Sequence, residues 1–183
     1  MLADSAQTSY AISMKQYGFT LIELVITITI MTILLALAVV NLESTQANQR
    51  DAERASDTAA IANNLETYYK TGVSPTTALG RYPSTAVLAD GETSARTFFP
   101  AIDLEILIAP EATSVAASFI AATNNVETTA GVLPQPTKSQ YVYQPIQTNA
   151  ALCTDGSQEC RRFSLYYRTE IDNTVKKVTS RHQ

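Results

Sequence analysis

The run from Phe19 to Val40, FTLIELVITITIMTILLALAVV, limits more than any other feature what this chain can fold into. It contains no Pro or Gly, and its one ionisable residue is Glu23. As a helix rising about 1.5 Å per residue it reaches roughly 33 Å, enough for a hydrocarbon core of about 30 Å. Thr27, Thr29 and Thr32 do not oppose this, because a hydroxyl in an apolar helix can donate to a carbonyl of the preceding turn. No second stretch of this kind occurs in the 183 residues, which excludes a multi-span membrane protein. A carboxylate inside such a segment is expensive and marks a function or a partner.

Three readings fit the run. A cleaved secretory signal would use Lys15 as its basic flank, Leu24 to Leu35 as its apolar region and Ala36-Leu37-Ala38 as its cleavage site. An uncleaved anchor would let Glu23 reach into the headgroups. The third reading rests on Gly18-Phe19-Thr20-Leu21-Ile22-Glu23-Leu24, preceded by Met14-Lys15-Gln16-Tyr17. This stretch resembles the amino terminus of type IV pilins and the related pseudopilins. The resemblance implies peptidase cleavage between Gly18 and Phe19, methylation of the new amino terminus at Phe19, and an assembly role for Glu23 as the fifth mature residue. Elementary electrostatics agrees, since an ammonium on Phe19 and a carboxylate on Glu23 are each costly in lipid and compensate one another between neighbouring subunits.

The leader implied is 1–18, with Asp4 and Lys15, and Met14 offers a simpler start. Many major pilins place a proline near the end of the apolar segment, where this chain has Val39-Val40-Asn41. The resemblance therefore carries no local helix melting with it.

Past Val40 the chain turns polar but stays helical in character. Ala55, Ala59, Ala62, Leu65 and Tyr69, widened by Ile61 and Tyr68, recur at three- and four-residue steps and predict a head-facing stripe over 41–71. Lys70, Gly72 and Pro75 predict a stop near Thr71. Arg50, Asp51, Glu53, Arg54 and Asp57 read as a solvated or inter-subunit face with local ion pairs. Leu65-Glu66-Thr67-Tyr68-Tyr69 and Arg81-Tyr82-Pro83-Ser84-Thr85 also resemble the helix end and following loop of pilins and pseudopilins, with extra residues between them.

Residues 72–138 read as a variable connecting region holding six of the seven prolines. No Asn-x-Ser/Thr sequon occurs in the chain. In 139–183 the runs QYVYQPI, RFSLYYRTEI and TVKKVT predict strands, with Asp172-Asn173 as a tight turn and Pro145 at an edge or strand end. Cys153 and Cys160 bracket a short polar loop, and a disulfide is the favoured reading for a head outside the membrane. The single histidine, His182, is penultimate and reads as frayed. With no held base, no glycine-rich phosphate loop and no paired carboxylates, no enzyme activity, cofactor or metal is expected.

A formal charge of -4 gives no chain-wide footprint for nucleic acid, yet the carboxy-terminal end is basic. Arg161, Arg162, Arg168, Lys176, Lys177 and Arg181 have two readings: a patch for DNA or another anionic surface, or an ordinary charged face that protects a strand edge.

The resemblance implies an α+β, type IV pilin-like fold, in which a long N-terminal helix, transmembrane in its first half (19–40), packs on a small antiparallel β-sheet head. It implies a structural subunit of a type IV pilus or pilus-like filament, serving adhesion, twitching motility, DNA uptake or secretion. Its partners would be prepilin peptidase, the pilus assembly machinery, other pilin subunits and membrane lipid before assembly. Its location would be the bacterial cytoplasmic membrane, then the cell exterior. Two alternatives stay open: a type II secretion pseudopilin, whose major form carries a tryptophan motif and calcium site while this chain has no Trp, and a single-pass surface binding protein that never polymerises.

Overall fold

The computed structural model describes residues 18–72, 79–88 and 91–182, so the leader before Gly18 and its alternative start at Met14 lie outside the described residues. The fold is α+β: one long N-terminal helix, α1 (Leu21–Thr71), and a small mixed four-stranded sheet. The chain divides into two units, one ending at Leu42 and the other beginning at Glu43.

The first unit is the apolar part of α1. Phe19, Leu21, Ile22, Leu24 and the apolar residues that follow to Val39 are all exposed, as is Leu42. An 18-residue window here has a mean hydropathy of 2.6, and none of it is buried within the protein. The hydroxyls of Thr27, Thr29 and Thr32 donate to the carbonyls of Leu24, Ile26 and Thr29, each at 2.8 Å, so the helix satisfies its own polar side chains. A largely apolar exterior without internal cover, broken by Glu23, suits lipid or a bundle of like helices.

In the second unit α1 ends at Thr71, where Gly72 adopts φ 63° and its amide donates to the Tyr68 carbonyl at 2.8 Å. Only a residue without Cβ takes that left-handed cap freely. The buried face of the helix is Arg54, Thr58, Ile61, Ala62, Leu65, Glu66 and Tyr68, with Tyr69 packed against the core, whereas Ala55 and Ala59 are exposed. The expected stripe holds at Ile61, Ala62, Leu65, Tyr68 and Tyr69 and is corrected at Ala55 and Ala59, where Arg54 and Thr58 turn inward instead. Methyl groups contribute little apolar area, so the positions with sheet partners, even charged ones, determine which face turns inward.

Beyond α1 come the short helices α2 (Glu92–Phe98) and α3 (Val115–Ser118), then β1 (Phe119–Ala121), β2 (Tyr141–Gln147), β3 (Cys160–Arg168) and β4 (Val175–Thr179), hydrogen-bonded in that order. β2, β3 and β4 are antiparallel, but β1 pairs parallel with β2, Phe119 opposite Tyr141. The wholly antiparallel sheet expected from the sequence is corrected by this edge strand out of the connecting region. A parallel pair needs a long crossover, and residues 122–140 supply it.

That crossover lies on the face of the sheet opposite α1. Ala122 and Val132 pack there with Val142 and Tyr166, while Gln144 donates to the carbonyls of Asn124 and Val126 at 2.8 and 3.3 Å. The face toward α1 joins Ile61 and Leu65 to Tyr141, Tyr143, Phe163 and Leu165. Pro145 occupies β2, a central strand, rather than an edge. It is tolerated because β1 ends opposite Tyr143, and past that point the Pro145 carbonyl accepts instead from the Cys153 amide at 2.9 Å.

Candidate functional site

The helix start is built by two residues that face each other across one turn. The Thr20 amide and hydroxyl each lie 3.4 Å from Glu23 Oε2, and the Glu23 amide lies 3.3 Å from Thr20 Oγ1. This reciprocal pattern is a capping box, in which the threonine and the glutamate satisfy each other's free backbone N–H. The Leu24 amide then donates to the Thr20 carbonyl at 3.2 Å and begins the helical ladder. The motif resemblance assigns no role to Thr20, but Thr-x-x-Glu at the head of an apolar run is the signature that reveals its capping. Glu23 also sits in the first turn, where the helix dipole favours a negative charge.

Gly18 and Phe19 precede the cap. Gly18 has nothing within 4 Å of the place a Cβ would occupy, and Phe19 is 84% exposed. The apolar helix begins two residues after Phe19, at Leu21.

Residues 13–39 match the family model of the prokaryotic N-terminal methylation motif. The chain carries a prepilin-type signal. That signal belongs to type IV pilins and pseudopilins, and it covers Gly18, Phe19, Thr20 and Glu23. No curated protein matches the chain, and no solved structure does. The prepilin-type signal implies processing by prepilin peptidase, and with the apolar helix it fits membrane anchoring before assembly.

Away from this signal, the head is fastened to α1 by ions. Arg50 Nε and Nη2 donate to Glu170 Oε2 and Oε1 at 2.8 and 2.7 Å. Asp51 accepts the amides of Glu170 and Ile171 at 2.7 and 3.1 Å. Arg54, fully buried, donates from Nε to the Lys138 carbonyl at 2.7 Å and from Nη1 to Asp51 at 2.8 Å. Asp57 accepts the Tyr141 hydroxyl at 2.8 Å. The solvated face expected for these charges is thus corrected, except at the exposed Glu53. Arg50, Asp51 and Asp57 are offset by hydrogen-bonded partners on the sheet or the turn after β3, and Arg54 by the Lys138 carbonyl and Asp51. The Arg50 hydrogen bonds hold the Glu170 carboxyl down to about 2, and burial raises that of Asp57.

Cys153 and Cys160 are joined by a disulfide with Cα atoms 5.8 Å apart, both side chains buried in the main core. The carbonyls of Cys160 and Cys153 accept the amides of Tyr82 and Thr85 at 2.8 and 2.9 Å, which ties the loop after α1 to the sheet.

The basic carboxy-terminal residues do not gather on one surface. Arg162 pairs with Glu127 at 2.8 Å, Lys177 donates to the Glu127 carbonyl at 2.9 Å, and Arg168 donates to the Pro136 carbonyl at 2.8 Å. These three hold the crossover over the outer face. Arg161 instead reaches the Gly80 carbonyl at 2.8 Å and Glu159 at 2.9 Å, and Lys176 lies 3.7 Å from Asp172. Arg181 reaches Asn63 on α1 at 3.0 Å. Strand alternation accounts for the division, because adjacent residues such as Lys176 and Lys177 point to opposite faces. His182 is not frayed: its ring stacks on Tyr69 with centroids 4.2 Å apart.

Proposed function

We propose that this protein is a pilin, a structural subunit of a type IV pilus or pilus-like filament, cleaved after Gly18, methylated on Phe19 and assembled through α1. The observation that carries this is the prepilin-type signal at 13–39 running directly into an exposed apolar helix. Before assembly the helix sits in the cytoplasmic membrane. On extraction by the assembly machinery, burial against neighbouring helices replaces burial in lipid, so the gain in apolar contact is small and polar pairing sets the register. Glu23 supplies that pairing: its carboxylate and the new Phe19 ammonium of an adjacent subunit are each unfavourable alone in an apolar bundle. The head, with its disulfide between Cys153 and Cys160, faces the exterior. Adhesion, twitching motility and DNA uptake are roles that such a filament can serve.

The test is mass spectrometry of filaments sheared from cells that produce the protein. A subunit beginning at methylated Phe19 is the expected result. A subunit that begins after Ala38, or full-length protein confined to the membrane, overturns the reading. In the same cells Glu23→Ala leaves cleavage intact and lowers incorporation into filaments.

A further inference from the structure

Among the described residues the buried tyrosines are Tyr68, Tyr82, Tyr141, Tyr143 and Tyr166. Tyr82 donates its hydroxyl to Glu66 at 3.0 Å, Tyr141 to Asp57 at 2.8 Å, Tyr143 to the Pro83 carbonyl at 2.7 Å and Tyr166 to Gln144 at 2.9 Å. Tyr68 departs from this pattern. It is only 9% exposed, yet its hydroxyl has no hydrogen-bond partner among the described residues, and that oxygen is not sealed from solvent. A tyrosine buried to this degree normally finds a partner for its hydroxyl. Burial raises the hydroxyl above its ordinary value, with the Arg81 guanidinium acting the other way, so at neutral pH it is a donor.

Tyr68 lines a cleft of about 150 Å³ between the last turns of α1 and the end of α2. Asn64, Thr67, Tyr68 and Thr71 recur at three- and four-residue steps and so share one side of α1, and Phe98 and Pro100 form the facing wall. The Tyr68 and Phe98 rings meet with centroids 6.1 Å apart and planes at 41°, which gives the cleft an apolar surface. Polar groups surround it. The Asn64 side-chain amide has no partner among the described residues, so it offers both donors and an acceptor. The Thr67 and Thr71 hydroxyls donate to the Asn63 and Thr67 carbonyls at 3.0 and 2.9 Å, which leaves their oxygens as acceptors.

The lining carries no charged residue, so nothing in the cleft offsets the cost of stripping water from an ion. Its volume is below the about 300 Å³ at which sites for drug-sized molecules begin, and suits a single ring. Aromatic faces beside free donors and acceptors match a neutral ring with an apolar face and several hydroxyls. We propose that this cleft binds one neutral pyranose ring of a glycan. The C–H face of the sugar packs on Tyr68 and Phe98. One sugar hydroxyl accepts from Tyr68, a second exchanges hydrogen bonds with Asn64, and others donate to Thr67 and Thr71. The site lies within one head and does not depend on filament formation.

The test is saturation-transfer NMR on the full chain, solubilised in a detergent without a sugar headgroup. The probes are methyl glucoside, methyl galactoside and methyl N-acetylglucosaminide, with methyl glucuronide as the charged control. At least one neutral probe should receive saturation at its ring C–H protons and bind with Kd of about 1–30 mM, the range for a ligand of this size. The glucuronide should bind at least about fivefold more weakly than the best neutral probe. Tyr68→Phe, which keeps the ring, and Asn64→Ala should each weaken binding at least about threefold with unchanged Tm. No saturation by about 100 mM of any neutral probe, equal binding of the glucuronide, or binding that survives both variants overturns the proposal.

Discussion

Arg50 of α1 and Glu170 of the turn after β3 are joined by two parallel hydrogen bonds of 2.8 and 2.7 Å, 120 residues apart in the chain. Asp51 completes the joint by accepting the amides of Glu170 and Ile171, so one turn of helix holds the turn by side chain and by backbone. The three residues bring a local stretch of α1 and a distant hairpin into one register. Fixed geometry, more than net energy, is what a partly exposed ion pair of this kind contributes.

The pair makes the head sensitive to acid. The Glu170 carboxyl is held down to about 2 by Arg50, below its ordinary value in an unfolded chain near 4.3. A carboxyl lowered on folding adds stability that is fully present above the unfolded value and is lost as pH falls toward the folded one. Glu170→Gln should therefore lower Tm by a few degrees at pH 7. The gap from the parent should close as the pH is taken from about 4.5 to about 2. Thermal unfolding of both proteins across that range checks it, and a gap independent of pH would assign the effect to shape alone.

The disulfide closes a loop with a sequence separation of 7. A loop of that length limits the unfolded chain enough to contribute about 2–3 kcal/mol, so Cys153→Ser with Cys160→Ser should lower the unfolding free energy by that amount in urea. Because both sulfurs are buried, reductant should act slowly on the native head and quickly once it is unfolded. Thiol labelling against time in the two conditions measures this.

Glu127 receives Arg162 by its carboxylate and Lys177 by its carbonyl. Glu127→Ala should loosen the crossover and speed hydrogen exchange at the amides of Thr123 and Val132, which donate to Leu133 and Thr128. Exchange in α1 should not change.

Neutralising Lys176 and Lys177 together tests the other reading of the basic residues. These lysines point to opposite faces and each has a partner of its own, so retention of filaments on DNA should change by less than about twofold and show little added dependence on salt. A large, salt-sensitive loss would restore the anionic-surface reading.

Cutting off Leu65 tests the seat of the head on α1. Its side chain is wholly buried between the helix and the sheet. Leu65→Ala should cost about 2–5 kcal/mol in urea unfolding, whereas Ala59→Ser, on the exposed face, should cost less than about 0.5 kcal/mol.

The parts of this protein written in local chemistry are those a reader of the chain can find. An apolar run without a breaker, a Gly-Phe junction, a carboxylate one turn later and a helix-ending Gly72 each act through neighbours within a turn. The signal at 13–39 and the end of α1 at Thr71 needed no tertiary information for that reason. The capping threonine, Thr20, was equally local and could have been read from its spacing to Glu23.

Tertiary structure decided which charges turn inward and which residues cover the sheet. Arg54 and Thr58 lie on the buried face of α1 because Lys138 and Glu170 come to meet the arginine from distant parts of the chain, and helical periodicity carries no record of such partners. The parallel strand β1, the placing of Pro145 in a central strand and the docking of His182 on Tyr69 have the same origin. For Arg54 and His182 a polar cost visible in the sequence is offset by a group far away along the chain. The helix follows from contacts within a turn, whereas the head is set by pairings beyond any local pattern, up to the 120 residues between Arg50 and Glu170.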